Sequence, residues 1–141
     1  ALLTLSLASV ACGGPLRYSL TGSANAPGAD VQLVADLDET ANLTRLTLKI
    51  TNLLPPGRID SDATTFVAWT RKDSDAPWTR VGALKYDEDD RVAEMVETSV
   101  AEVSFTLLVT AEEDASPESP SDKAISSNFR AISRSISWLC P

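Results

Sequence analysis

Thr64-Thr65-Phe66-Val67-Ala68-Trp69-Thr70, then Arg71-Lys72-Asp73-Ser74-Asp75-Ala76-Pro77, then Trp78-Thr79-Arg80-Val81-Gly82-Ala83-Leu84: this stretch decides the fold. Both arms are dominated by β-branched and aromatic residues, and Asp, Ser and Pro break the middle, which predicts a β-hairpin. Trp69 is the largest apolar side chain in the middle of the chain. The prediction places its ring between two sheets, against the row Val103, Phe105, Leu107, Val109 or the row Leu46, Leu48, Ile50. Gly82 interrupts the return arm and predicts a bulge or a close backbone approach.

The flanking sequence has a period of two. Val31, Leu33, Ala35 and Leu37 alternate with Gln32, Val34 and Asp36. Leu46, Leu48 and Ile50 alternate with Arg45, Thr47 and Lys49, so the first set is predicted buried and the second exposed. Leu53-Leu54-Pro55-Pro56-Gly57 ends that strand, because proline cannot donate to a ladder. A first strand over 17–23, a short strand over 92–97, an inward row Val103, Phe105, Leu107, Val109 and a last strand over 123–129 complete the pattern. Ile125, Phe129, Ile132, Ile136 and Leu139 have helical spacing, so a short helix is predicted in the C-terminal tail. Short strands at regular spacing predict an all-β fold: a single immunoglobulin-like antiparallel β-sandwich of about seven strands over 17–129, with a tail over 130–141.

The first sixteen residues carry no charge. Residues 1–11 form an apolar run of signal-peptide length, too short to span a bilayer, that ends at Cys12-Gly13-Gly14. This run resembles the signal peptide and cleavage box of a bacterial lipoprotein, the alternatives being a plain secretory signal or a buried first strand with an incidental cysteine. It has no methionine or basic segment at its start, as a truncated signal would. The resemblance implies that Cys12 is the lipidated residue, with 12–16 as a tether. Ala11 fits the small-residue requirement before the cysteine, and Ser9 stands where leucine is usual. Gly13 does not match the acidic inner-membrane retention signal, which points to the outer membrane. Cys140 is the other cysteine, and two cysteines make neither a disulfide framework nor a zinc site.

A second resemblance lies in the middle of the chain. Phe66-Val67-Ala68-Trp69, Val81-Gly82-Ala83-Leu84, Val109-Thr110-Ala111-Glu112 and Ser116-Pro117-Glu118-Ser119-Pro120-Ser121 together resemble the extracytoplasmic domain of anti-sigma-K-type factors. That domain is a β-sandwich, and the resemblance implies the same module for roughly residues 30–128. Sigma-factor binding does not carry over. Proteins of that family carry a cytoplasmic sigma-binding segment and a transmembrane helix before this domain, where a lipoprotein-like signal ending at Cys12 is expected here instead.

The chemistry in the sequence is sparse. It has no histidine, which removes the usual base for a serine or cysteine nucleophile and the commonest metal ligand. The net charge of −8, from 20 acidic and 12 basic residues, argues against nucleic acid as a partner. Asp36 with Asp38 and Glu39, Asp60 with Asp62, and Asp87 to Asp90 offer oxygens of the kind calcium takes from loops, but none matches an EF-hand, and acidic residues also simply solvate turns. No cofactor is predicted. Asn42-Leu43-Thr44 matches a glycosylation sequon, a chance match in a bacterial lipoprotein. Trp78 and Trp138 are read first as caps on a core and second as contacts for a protein or glycan partner. The sequence thus predicts a non-enzymatic, lipid-anchored envelope module that binds or supports. The alternative is a sensory or regulatory domain related to anti-sigma factors.

Overall fold

The computed structural model describes residues 14–126 and 129–131. Alternation becomes strand wherever one face can be buried. In β2 (Asp30–Asp38) Val31, Leu33 and Ala35 are buried, and in β3 (Leu43–Thr51) Leu46, Leu48 and Ile50 are fully buried beside exposed Arg45 and Lys49. The other strands are β1 (Leu16–Thr21), β4 (Thr65–Arg71), β5 (Thr79–Ala83), β6 (Lys85–Asp87), β7 (Val92–Val100), β8 (Phe105–Glu112) and β9 (Phe129–Ala131), with a single turn of helix, α1 (Pro56–Ile59), between β3 and β4.

The strands form two antiparallel sheets, β1-β2-β3-β7-β6 and β5-β4-β8-β9. Their inner faces share one core. Val31, Leu33, Leu46, Leu48, Ile50, Ala93 and Met95 of the first sheet meet Phe66, Ala68, Phe105, Leu107 and Val109 of the second. The fold is therefore an all-β sandwich, with nine strands among the described residues where about seven were predicted. Part of the excess is one run that changes sheets. β5 pairs with β4 in the second sheet and β6 with β7 in the first, and the switch falls at buried Leu84, whose N–H donates to Phe66 O at 2.8 Å. On the opposite side Gly22 bridges to Ser126, and Ser23 N–H donates to Ile125 O at 2.8 Å, so the end of β1 is laced to the second sheet.

The hairpin predicted over 64–84 is present, and the bulge falls where predicted. Ala68 pairs with Gly82 and Trp69 with Arg80, leaving Val81 as the extra residue. A Cβ on Gly82 would touch nothing within 4 Å, so the bulge, not a close approach, accounts for this glycine. A second bulge sets Thr47 opposite Val96 and Glu97. Glu97 adopts φ 48° and its N–H donates to Thr47 Oγ1 at 3.2 Å, which is why Thr47 is half-buried and why β7 runs past residue 97 to Val100.

Besides the strand count, the length of β7 and the half-burial of Thr47, which was predicted exposed, the structure corrects further expectations. Trp69 is fully buried but does not lie between the sheets. Phe66 and Ala68 occupy that core, and Trp69 points to the opposite face of β4, where it packs with Val67 and Leu108 beneath Trp78 and Ala124. Val103 lies ahead of β8, is half-buried and is not part of the inner row. The strand predicted over 123–129 is displaced: Ala124 and Ser126 make isolated bridges, and β9 itself is Phe129–Ala131. Arg130 and Ala131 therefore belong to strand, not to the tail. Cys12, Cys140, Trp138, the signal run and the predicted terminal helix beyond residue 131 lie outside the described residues.

Candidate functional site

The sandwich has two ends of different character. One end holds the start of β1 at Leu16, the turn at 39–42, the hairpin loop at 72–78 and the connection at 101–104. The opposite end gathers the loop 52–64, the turn 88–91 and the loop 113–122. At that end segments 52–64, 87–91 and 112–123 hold eleven acidic residues and three basic ones, a formal charge of −8, and the β1–β2 turn at 22–29 adds no charge. This equals the net charge of the whole chain, so the remainder is neutral in sum.

These loops are held by specific bonds. β3 ends at Thr51, before the prolines, where Asn52 takes φ 55°, and Pro55 and Pro56 instead open α1, in which Arg58 N–H donates to Pro55 O at 2.9 Å and Asp60 N–H to Pro56 O at 3.0 Å. Leu53 N–H donates to Arg91 O at 3.0 Å, and the Tyr86 hydroxyl donates to Leu53 O at 2.7 Å, tying the loop to the turn. Tyr86 is anchored beneath them by an edge-to-face contact with Phe66, centroids 5.3 Å apart. Burial first, and then the nearby Glu88 carboxylate, raises the Tyr86 phenol above its ordinary pKa of 10.0, with Arg91 opposing, so it remains a donor at neutral pH. On the other side of this end Thr64 N–H donates to Glu112 O at 2.8 Å and Thr64 Oγ1 to Glu113 O at 2.6 Å.

Two hollows open between the loops. One, of about 440 Å³, is lined by Leu54, Pro55, Gly57, Arg58, Glu88 and Arg91. The other, of about 200 Å³, is bordered by Asp60, Ala63, Glu112, Glu113, Asp114 and Pro117. Beside the second lies a buried polar chain. Trp69 Nε1–H donates to Thr110 Oγ1 at 2.9 Å, the Thr110 hydroxyl donates to Glu112 Oε1 at 2.5 Å, and Ser121 N–H donates to the same oxygen at 2.7 Å. It joins β4, β8 and the far end of the loop, and it satisfies Thr110 and Glu112, both of which are buried.

The acidic runs singled out for calcium have another use. Asp38 Oδ1 accepts Ala41 N–H, Asp60 Oδ1 accepts Asp62 N–H, and Asp87 Oδ1 accepts the N–H groups of Asp89 and Asp90. Each aspartate caps the turn it begins. Among the described residues no three His, Cys, Asp or Glu side chains converge as metal ligands would. Asp36 stays exposed on β2, apart from that turn. Trp78 is half-buried against Trp69 and Leu108, with the Arg71 guanidinium 4.4 Å from its ring centroid, so it caps the smaller cluster. In the sequon, Asn42 Nδ2 donates to Ala101 O at 3.2 Å and the hydroxyl of buried Thr44 donates to Glu102 O at 2.6 Å. Arg58 and Arg91 stand 33 positions apart in sequence and carry no motif, so the hollow they share is visible only in the fold.

No helix among the described residues is long and apolar enough to cross a membrane. Comparison with protein-family models, curated proteins and solved structures finds no match to this chain.

Proposed function

We propose that this chain is a non-enzymatic lipoprotein of the bacterial cell envelope, anchored at the outer membrane through Cys12, whose immunoglobulin-like sandwich presents the loop end at 52–64, 88–91 and 113–122 to an envelope protein or glycan. One observation carries the reading. β1 starts at Leu16, so only Gly13, Gly14 and Pro15 separate Cys12 from the sheet, and β1 starts at the end opposite those loops. Four residue steps reach at most about 14 Å, so a lipid on Cys12 holds the near end close to the bilayer and turns the loops outward. The immunoglobulin likeness rests on strand order. Taken as A, B, E and D, strands β2-β3-β7-β6 follow one sheet of that fold, and β4-β8-β9 follow C, F and G, with β5 as an added edge beside β4 and β1 as an extra N-terminal strand. In that scheme the loops at 52–64 and 113–122 correspond to B–C and F–G, the end such domains use for recognition. The use of aspartates as turn caps and a sequence with no histidine support the non-enzymatic reading. The dominance of acid argues against nucleic acid.

The test is expression of the full precursor with and without Cys12→Ala. Wild type should fractionate with membranes and carry acyl chains on Cys12 by mass spectrometry, and the variant should be soluble. A wild-type protein without acyl chains, or a variant that stays with the membrane, contradicts the anchor.

A second reading, a regulatory domain related to anti-sigma factors, draws on a different observation. The four stretches that carry that resemblance fold into one unit: β4 flanked by β5 and β8, with Ser121 bonded to Glu112. A sigma-factor gene beside this one would favour it.

A further inference from the structure

The larger hollow at the loop end has an unusual composition for its surroundings. Arg58 and Arg91 are two of only three basic residues in the acidic segments of that end, and both line this one hollow together with Glu88. Both are exposed, and neither guanidinium is committed to a hydrogen bond or an ion pair, the one ion pair among the described residues being Lys49 with Glu94. The walls are fixed: Leu53 N–H on Arg91 O and the Tyr86 hydroxyl on Leu53 O join the two loops from below. Leu54 and Pro55 supply an apolar side. Two uncommitted guanidinium forks on a rigid frame suit a carboxylate, which they bind with paired hydrogen bonds. The surroundings argue against a simple anion. Asp87, Asp89 and Asp90 flank Glu88 in the same turn and lie within the range of unscreened charge. A ligand with an ammonium as well as a carboxylate meets both fields, its cation toward Glu88 and its anion toward the arginines.

We propose that the hollow between loop 52–60 and turn 88–91 is a binding site for a zwitterionic peptide or amino acid, its carboxylate held by Arg58 and Arg91 and its ammonium by Glu88. The site does not require the lipid anchor, so it stands or falls separately from membrane attachment.

The experiment titrates the ¹⁵N-labelled full chain, in detergent, with the tripeptide Ala-Ala-Ala, its C-terminal amide, its N-acetyl form and inorganic phosphate. The free tripeptide should move the amide signals of Gly57, Arg58, Glu88 and Arg91 saturably. The amide, Arg58→Gln and Arg91→Gln should each weaken binding about ten- to a hundredfold, the loss expected for hydrogen bonds to a charged group. N-acetylation and Glu88→Gln should weaken it in the same direction. The substituted side chains are exposed, and a thermal melt matching wild type shows that each variant is folded. The proposal is overturned by no saturable shift up to roughly 10 mM, the weak end of specific affinity. It is equally overturned by amide or phosphate binding as tightly as the free peptide, or by folded arginine variants that bind as wild type does.

Discussion

Trp69 holds the buried polar chain at its apolar end. Its ring is removed from water by Val67, Leu108, Trp78 and Ala124, and its N–H is satisfied by Thr110. Trp69→Ala should cost about 3–5 kcal/mol through lost burial and a cavity, measured by urea unfolding. Thr110→Val keeps the volume but strands the indole N–H and takes one donor from Glu112, so it should cost about 1–3 kcal/mol for the orphaned group. Trp78→Ala should cost less than Trp69→Ala, because Trp78 is only half-buried. Tyr86 gives a pH prediction. Its folded pKa is raised, so its contribution is complete below the ordinary phenol pKa and is lost as pH rises through the folded value. Melting temperature should therefore fall on the alkaline side of pH 10.0, and Tyr86→Phe should flatten that part of the curve while losing the bond to Leu53 O at neutral pH. An identical alkaline slope in the two proteins contradicts the assignment.

The elements show which parts of this arrangement were legible in the sequence. The faces of β2 and β3 are legible because each has one buried and one wet face, which the period-two pattern records directly; Thr47 is the exception, half-buried by the bulge opposite it. Leu48→Ala should lose about 2–5 kcal/mol. Lys49→Ala should lose less than about 0.5 kcal/mol, since its 3.6 Å contact with Glu94 joins two side chains nearly half exposed. Equal losses contradict the assignment of faces. β4 could not be read this way. Phe66, Val67, Ala68, Trp69 and Thr70 are all buried, so the strand carries no alternation from which to tell its two faces, and size alone put Trp69 in the wrong layer. Gly22 is a case of the opposite kind, in which the reason for a residue lies wholly in the fold. A Cβ there would stand 2.1 Å from Ala26 O and 2.9 Å from the Ala29 Cβ. Gly22→Ala should therefore destabilise by at least about 1–3 kcal/mol, the range for overpacking.

At the scale of the molecule, charge and topology point the same way. The hairpin, the alternating rows and the sandwich class follow from local pattern. The gathering of three distant segments into one acidic end, with Arg58 and Arg91 in a shared hollow, follows from strand order, which no local pattern encodes. In the proposed arrangement Cys12 tethers the end where β1 starts and turns the acidic loop end away from the bilayer. Nine-residue strands such as β2 and β3 separate the two ends by about 30 Å. The measurement is energy transfer from a single dye to an acceptor-labelled bilayer, with the dye at Asp75→Cys, in the hairpin loop at the same end of the sandwich as the start of β1, or at Asp89→Cys in the loop end, each in lipidated protein carrying Cys140→Ser. The tethered geometry predicts strong transfer from position 75 and weak transfer from position 89, and equal or reversed transfer would contradict it.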